Sequence, residues 1–384
     1  MRRGRTAPRC CPASCRPRPS PRWPGRVSFH HAEVRHGERD VSPVQGPTHL
    51  DDTASLDAAT AWRPDILGAG FSALDLPLKP DQEGEVLATL VRGPRADPFA
   101  RGAARGADVL YVHGWSDYFF QKHHAHYWAG EGARFFALDL RKYGRSLRDH
   151  QTPGFVTDLA TYDEELDRAL EIMGHGPGGH RRGRHPLVLI GHSTGGLTLS
   201  LWADRHPGRA NALILNSPWL ELQTRAAVRT ALTPLMTLAA QLRPTDTFNN
   251  VDFGFYTRAV KKELGGEWEF DDRWRPTPSF TVRAGWLNAI LAGHSAVAVG
   301  LDIKAPVLTL LSARSTLSPI WHDAMRRTDS VLRVDDIARR SLNLGETVTV
   351  RRLDGALHDV LLSAPDVRAK AFESMTRWVK GYLS

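Results

Sequence analysis

The sequence predicts an α/β protein: a mostly parallel central sheet with helices on both faces. Short apolar runs alternate along the chain with stretches of helical periodicity. Several of those runs, such as HPLVLI (185–190) and ANALILNSP (210–218), are continuously apolar, as strands buried on both sides must be. One interval, residues 219–304, separates two such runs and is too long for a crossover, so it reads as an inserted subdomain with helical patterns.

The elements follow in order. EVLATLVRG (85–93), ADVLYVHG (107–114) and RFFALDL (134–140) are strand-like runs bounded by turn residues. DYFFQKHHAHYWAGEG between the last two reads as a helix ending at Gly130 or Gly132. In residues 155–174, Leu159, Tyr162, Leu166, Leu170 and Met173 recur at steps of three or four, and Gly174 stops the helix. After HPLVLI come a turn at Ser193, the helix GGLTLSLWADRH and the strand ANALILNSP. APVLTLLSA (305–313) and ETVTVRRLDG (346–355) are later strands, and a final helix starts near Ser363, read as its N-cap. The domain reading is an Arg/Pro-rich, disordered extension over 1–60, a core from 61–218 and 305–384, and the 219–304 insertion.

Charge narrows the partners. The chain carries +8, but residues 1–40 hold ten arginines against three acids, a net of +7, which leaves about +1 for the rest. A nearly neutral body does not make a nucleic-acid groove. All three cysteines, Cys10, Cys11 and Cys15, lie in the same tail, so disulfides do not hold the body, and a reducing, cytoplasmic location is expected. No apolar run is long enough to span a bilayer, although transient contact with a membrane surface is compatible with the composition.

Chemistry concentrates at Gly191-His192-Ser193-Thr194-Gly195, a G-x-S-x-G turn between a predicted strand and a predicted helix. Such a turn strains the serine backbone and exposes its hydroxyl, while the helix N-terminus directs N–H groups to where negative charge develops. A serine needs a base. His358 lies after the last strand and before the last helix, in the order expected for a Ser–acid–His triad. The acid is open among Asp323, Asp329, Asp335 and Asp336. Asp329, in TDSVLRVDDI, is favoured, because two apolar residues and then a helix-like start come after it, whereas Asp335 and Asp336 suit the acidic first turn of a helix. The backbone N–H groups of Thr194 and of Trp115, in the turn after VHG, are the expected oxyanion donors.

Other patterns carry less. Gly174-x-Gly176-x-x-Gly179 follows a helix and precedes a strand, the wrong context for a dinucleotide fingerprint. His123, His124 and His126 diverge by about 100° per residue on a helix and do not converge on a metal. His192 reads as a pocket wall or a buried hydrogen-bonded residue.

Together, HGWSDYF (113–119), DLRKYGRS (139–146), GHSTGG (191–196) and GALHD (355–359) resemble the serine α/β-hydrolase superfamily, most nearly its monoglyceride lipase and lysophospholipase branch. The second motif departs from the family's D-x-x-G-x-G-x-S by placing Tyr143 at the middle glycine, and Ser312-Ala313-Arg314-Ser315 lacks the acid usual after that strand. The resemblance implies an α/β-hydrolase fold with the 219–304 insertion as a helical lid, and hydrolysis of small-molecule carboxylic esters, lipid-derived ones of the monoacylglycerol or lysophospholipid kind, through an acyl-enzyme with no cofactor or metal. A thioesterase, amidase or acyltransferase with the same triad, or a non-catalytic binding protein on this fold, are the alternatives.

Overall fold

The computed structural model describes residues 61–96, 99, 101–176, 185–222, 242–248 and 252–383. The 1–60 extension, the 177–184 loop with Gly179, and most of the helical pattern AAVRTALTPLMTLAAQL lie outside the described residues.

Nine strands form one sheet: β1 (Arg63–Pro64), β2 (Ser72–Asp81), β3 (Gly84–Arg92), β4 (Asp108–Val112), β5 (Arg134–Asp139), β6 (Leu187–His192), β7 (Ala212–Asn216), β10 (Val307–Ser312) and β11 (Val348–Leu353). Their order is β1-β2-β3-β5-β4-β6-β7-β10-β11. The β1–β2, β2–β3 and β3–β5 pairs are antiparallel, and every pair from β5 to β11 is parallel. A short second sheet pairs β8 (Thr247–Phe248) with β9 (Val282–Arg283).

The apolar runs are continuous because both faces of the sheet are covered. On β6, Leu187 and Leu189 point into one core while Val188 and Ile190 point into the other; β4 and β7 alternate in the same way. The first face is closed by α2 (Asp163–Met173), α3 (Thr194–Arg205) and α5 (Ala284–Val299), through Leu166, Trp202 and Ile290. The second is closed by α1 (Lys122–Gly130) and α7 (Pro365–Tyr382), through Trp128 and Met375. Each such side chain contributes roughly 1.5–3 kcal/mol relative to exposure.

Some local expectations need correction. The helix read over 155–174 begins later. Asp158 caps a 3₁₀ turn, Leu159–Tyr162, by accepting from the Ala160 N–H, and α2 starts only at Asp163; Gly174 ends it with φ +91°. Ser363 is not the N-cap of α7. Ala364 holds that position, with Pro365 at the first turn, and the Ser363 hydroxyl accepts instead from the Leu357 N–H at 2.9 Å. Strand β2 was not evident because it contains Pro77. Proline is tolerated there because, among the described residues, β1 pairs only with Ser72 and Ala73 and no strand pairs with the rest of that side of β2.

Within 219–304, the described elements are β8, α4 (Phe255–Val260), a 3₁₀ turn (Lys262–Leu264), β9 and α5. Trp286, Leu287 and Ile290 of α5 join the core, and a Cβ at Gly293 would meet Leu201 and Leu159 at 3.0 and 3.2 Å. Helix α5, at the end of the 219–304 interval, is therefore packed into the body. Helix α6 (Val334–Ser341) carries Asp335 and Asp336 in its first turn.

Candidate active site

The site lies at the carboxyl ends of the parallel strands, the usual ligand position in open α/β sheets. Ser193 joins β6 directly to α3 with φ +50° and ψ −116°, a strained conformation for a non-glycine residue. Its N–H donates to Asn216 O at 3.1 Å, and its carbonyl accepts from Gly196, Leu197 and Trp219. The surrounding glycines are required by contact. A Cβ at Gly191 would lie 2.7 Å from the Gly195 carbonyl oxygen, one at Gly195 would lie 2.3 Å from His113 O, and one at Gly196 would lie 2.7 Å from Pro218. The third glycine is outside the G-x-S-x-G pattern, so its role emerges only from the packing of α3 on the segment after β7.

His358 sits in the loop after β11, and its Nδ1 is 3.0 Å from Asp329 Oδ2. Both residues are buried. The other carboxylate oxygen of Asp329 accepts from the Val331 and Leu332 N–H groups, each at 2.7 Å. A carbonyl or carboxylate oxygen can only accept, so His358 Nδ1 carries the proton and Nε2 is free to act as a base.

How Asp329 reaches this place is visible in the backbone. Ser315 forms an isolated parallel bridge with Asp329, with Asp329 N–H donating to Arg314 O at 3.0 Å and Thr316 N–H to Asp329 O at 2.8 Å. The chain leaves the end of β10, makes an excursion over 316–328, and returns Asp329 beside the position where Ser315 replaces the usual acid. The other carboxylates are elsewhere: Asp323 accepts from Trp321 Nε1, Asp335 pairs with Arg352 and Asp336 pairs with Arg339.

The turn after β4 lies against the serine. A Cβ at Gly114 would approach Ser193 Cβ to 3.0 Å. His113 braces that turn: Nδ1–H donates to Gly114 O at 2.8 Å, and Nε2 accepts from Leu140 N–H at 3.1 Å. The N–H groups of Trp115 and Thr194 have no backbone acceptor among the described residues. Tyr143, the departure from the family pattern, packs its ring 4.9 Å from His113 and 5.9 Å from Trp115, and Gly154 makes room for it, since a Cβ there would lie 2.4 Å from the Tyr143 hydroxyl.

Ser193, His358, Gly114 and Trp115 all face one cavity of about 380 Å³. Trp219, Trp286, Val282 and Leu332 give it an apolar side. On its polar side, Asp117 and Arg275 are buried with Nη1 and Oδ1 3.6 Å apart, and neither atom has a hydrogen-bond partner among the described residues.

Behind His358, Asp359 is buried and accepts from Asn216 Nδ2 at 2.6 Å, Leu361 N–H at 2.9 Å and Gln121 Nε2 at 3.3 Å. Burial would raise its carboxyl; His192, the Asn216 amide, the Leu361 N–H and the Arg275 charge outweigh that and hold it below its usual value. His192 donates from Nδ1 to Asn216 O at 3.1 Å and lines the cavity, in the role expected of it. His123 and His124 turn apart, to Leu361 O and to the Trp128 indole. No helix among the described residues is long and apolar enough to cross a membrane.

The family model described as serine aminopeptidase, S33 (Hydrolase_4) matches residues 103–326, which include Ser193 and its turn. The chain belongs to this family of serine hydrolases. A relative, the monoacylglycerol lipase of Mycolicibacterium smegmatis, is 24% identical over 294 residues, covering 76% of this chain and 91% of the relative. Among solved structures, a soluble variant of monoglyceride lipase from Saccharomyces cerevisiae superposes with a TM-score of 0.57 at 15% identity, over 80% of this chain and 96% of that one. The Paleococcus ferrophilus monoacylglycerol lipase gives 0.53 at 19% identity, over 73% and 96%. These structures share the α/β-hydrolase fold with the chain, and the resemblance drawn from its four motifs is borne out. The protein is a serine hydrolase of the esterase and lipase type.

Proposed function

We propose that the protein hydrolyses carboxylic esters of the monoacylglycerol kind, through a triad of Ser193, His358 and Asp329. Ser193 attacks the ester carbonyl while His358 Nε2 takes the hydroxyl proton. The tetrahedral oxyanion is held by the N–H groups of Trp115 and Thr194. His358 returns the proton to the departing alcohol, and water, activated by the same imidazole, releases the acid from the acyl-enzyme. Asp329 keeps the imidazole in the tautomer that makes this possible.

The observation that carries this reading is the 3.0 Å contact between His358 Nδ1 and Asp329 Oδ2, with His358 facing the same cavity as the strained Ser193. The substrate class is supported by the cavity wall. The tryptophans and aliphatic residues suit an acyl chain.

A fluorophosphonate probe tests the assignment. It is expected to label the native protein at Ser193 and not the Ser193→Ala variant; labelling elsewhere, or ester turnover by Ser193→Ala, overturns it. Among substrates, monoacylglycerols are expected to exceed lysophosphatidylcholine of the same acyl chain in kcat/KM, and the reverse order defeats the substrate reading.

A further inference from the structure

The inserted segment touches the catalytic loops at several defined points. Phe280 N–H donates to Ser116 Oγ at 3.1 Å, Asp271 N–H to the Tyr118 hydroxyl at 2.9 Å, and Trp268 Nε1 to Leu362 O at 2.8 Å. One contact differs from these because it reaches the residue adjoining the candidate base. Tyr256, at the start of α4, accepts the Asp359 N–H on its hydroxyl at 3.2 Å. Its ring also stands edge-on to the His358 imidazole, with centroids 5.4 Å apart and planes at 84°. The Arg275 guanidinium lies 5.3 Å from the Tyr256 ring centre.

We infer that Tyr256 is a positioning residue for His358, so that the insertion helps to set the geometry of the base as well as to wall the cavity. The inference rests on the reading of His358 as the base. The backbone of 358–360 is held from two sides. From the sheet, Asn216 Oδ1 accepts the Val360 N–H at 3.0 Å and Asn216 Nδ2 donates to Asp359. From the insertion, Tyr256 takes the Asp359 N–H and limits the tilt of the imidazole. Asp329 fixes Nδ1 and the His192 ring packs 5.0 Å from the imidazole centre, while the Tyr256 hydroxyl, by holding the Asp359 N–H, fixes the backbone from which the imidazole projects. Displacements on the order of 1 Å in a catalytic group can cost about 100-fold in rate.

The test is Tyr256→Phe, which keeps the ring and removes the acceptor, leaving a buried N–H unpaired. The comparison variant is Trp268→Phe, which breaks another bond between the insertion and the same loop without touching His358. With a p-nitrophenyl ester, Tyr256→Phe is expected to lower kcat by roughly 10- to 100-fold with KM changed less than about twofold. The rate of fluorophosphonate labelling is expected to fall in parallel, and Trp268→Phe to keep kcat near the native value. A native kcat in Tyr256→Phe, a loss confined to KM, or an equal kcat loss in both variants overturns the inference. His358→Ala is measured alongside: if it retains turnover, the triad reading has failed, whereas lost turnover in His358→Ala with native kcat in Tyr256→Phe rejects the positioning role alone.

Discussion

Replacing Asp329 by asparagine probes the site most directly, because the structure dictates how the amide must sit. The Val331 and Leu332 N–H groups both point at Oδ1, at 2.7 Å each. Only an oxygen can accept them, so the amide oxygen takes that position and the NH₂ group faces His358 Nδ1. Nδ1 must then become an acceptor, which moves the imidazole proton to Nε2 and removes the lone pair that would take the Ser193 proton. Fold and cavity are left intact while the tautomer is wrong. The equivalent change in another protease lowers kcat by about 10⁴, which corresponds to about 5.4 kcal/mol of transition-state stabilisation. Steady-state kinetics of Asp329→Asn on a p-nitrophenyl ester, with thermal unfolding as a control for folding, should show that order of loss. Asp335→Asn, which removes only an exposed partner of Arg352, should stay within about twofold, as expected for a surface pair. A larger loss at Asp335 than at Asp329, or more than a tenth of native kcat in folded Asp329→Asn, refutes the reasoning.

Other consequences follow from single contacts. Gly195→Ala places a Cβ 2.3 Å from a backbone oxygen that cannot yield, so soluble yield or Tm should drop sharply together with activity, and a native melting curve would contradict the packing. Tyr143→Ala should destabilise the fold by about 3–5 kcal/mol in urea titrations, as large-to-small changes in cores do, and should lower turnover through the His113 and Trp115 turn. His124 gives a pH dependence: burial among Tyr111, Trp128 and Phe135 pushes its imidazole down to about 3, so it stays neutral in the fold but protonates near 6.5 when unfolded. Its share of stability is complete above about pH 6.5 and is lost as pH falls toward 3, amounting to about 2 kcal/mol at pH 5. His124→Gln should flatten the decline in unfolding free energy between pH 7.5 and pH 5, and an unchanged slope would refute the assignment.

Much of this is legible one segment at a time. Ser193 is announced by glycines two residues away on either side and by an apolar run before and after. His358 is announced by its place between the last strand and the last helix. The candidate acid is harder, since Ser315 occupies the place usual for it in the resembled family and the excursion over 316–328 hides the return; Asp329 is marked only by the apolar residues that come after it, whose N–H groups bind its carboxylate. Asn216 ends a strand without any distinguishing neighbour, and Tyr256 and Arg275 sit in an insertion whose composition reads as generic apolar packing. Their partners, Asp359 and Asp117, are more than 100 positions away along the chain.

The sequence by itself determined the parallel sheet and the strained serine turn. Both rest on local physics: continuous apolar runs must be covered on two faces, and a strand that turns at once into a helix needs glycine where the backbones meet. Only the tertiary structure decided which carboxylate stands behind His358, that Tyr143 and Gly154 fit one another beneath the turn after β4, and that Tyr256, from the 219–304 interval, reaches the loop that carries His358. Those outcomes depend on contacts between segments remote in the chain. They are set by how the loops at the carboxyl ends of the strands fold back over the sheet, and the spacing of residues within any one loop does not contain that information.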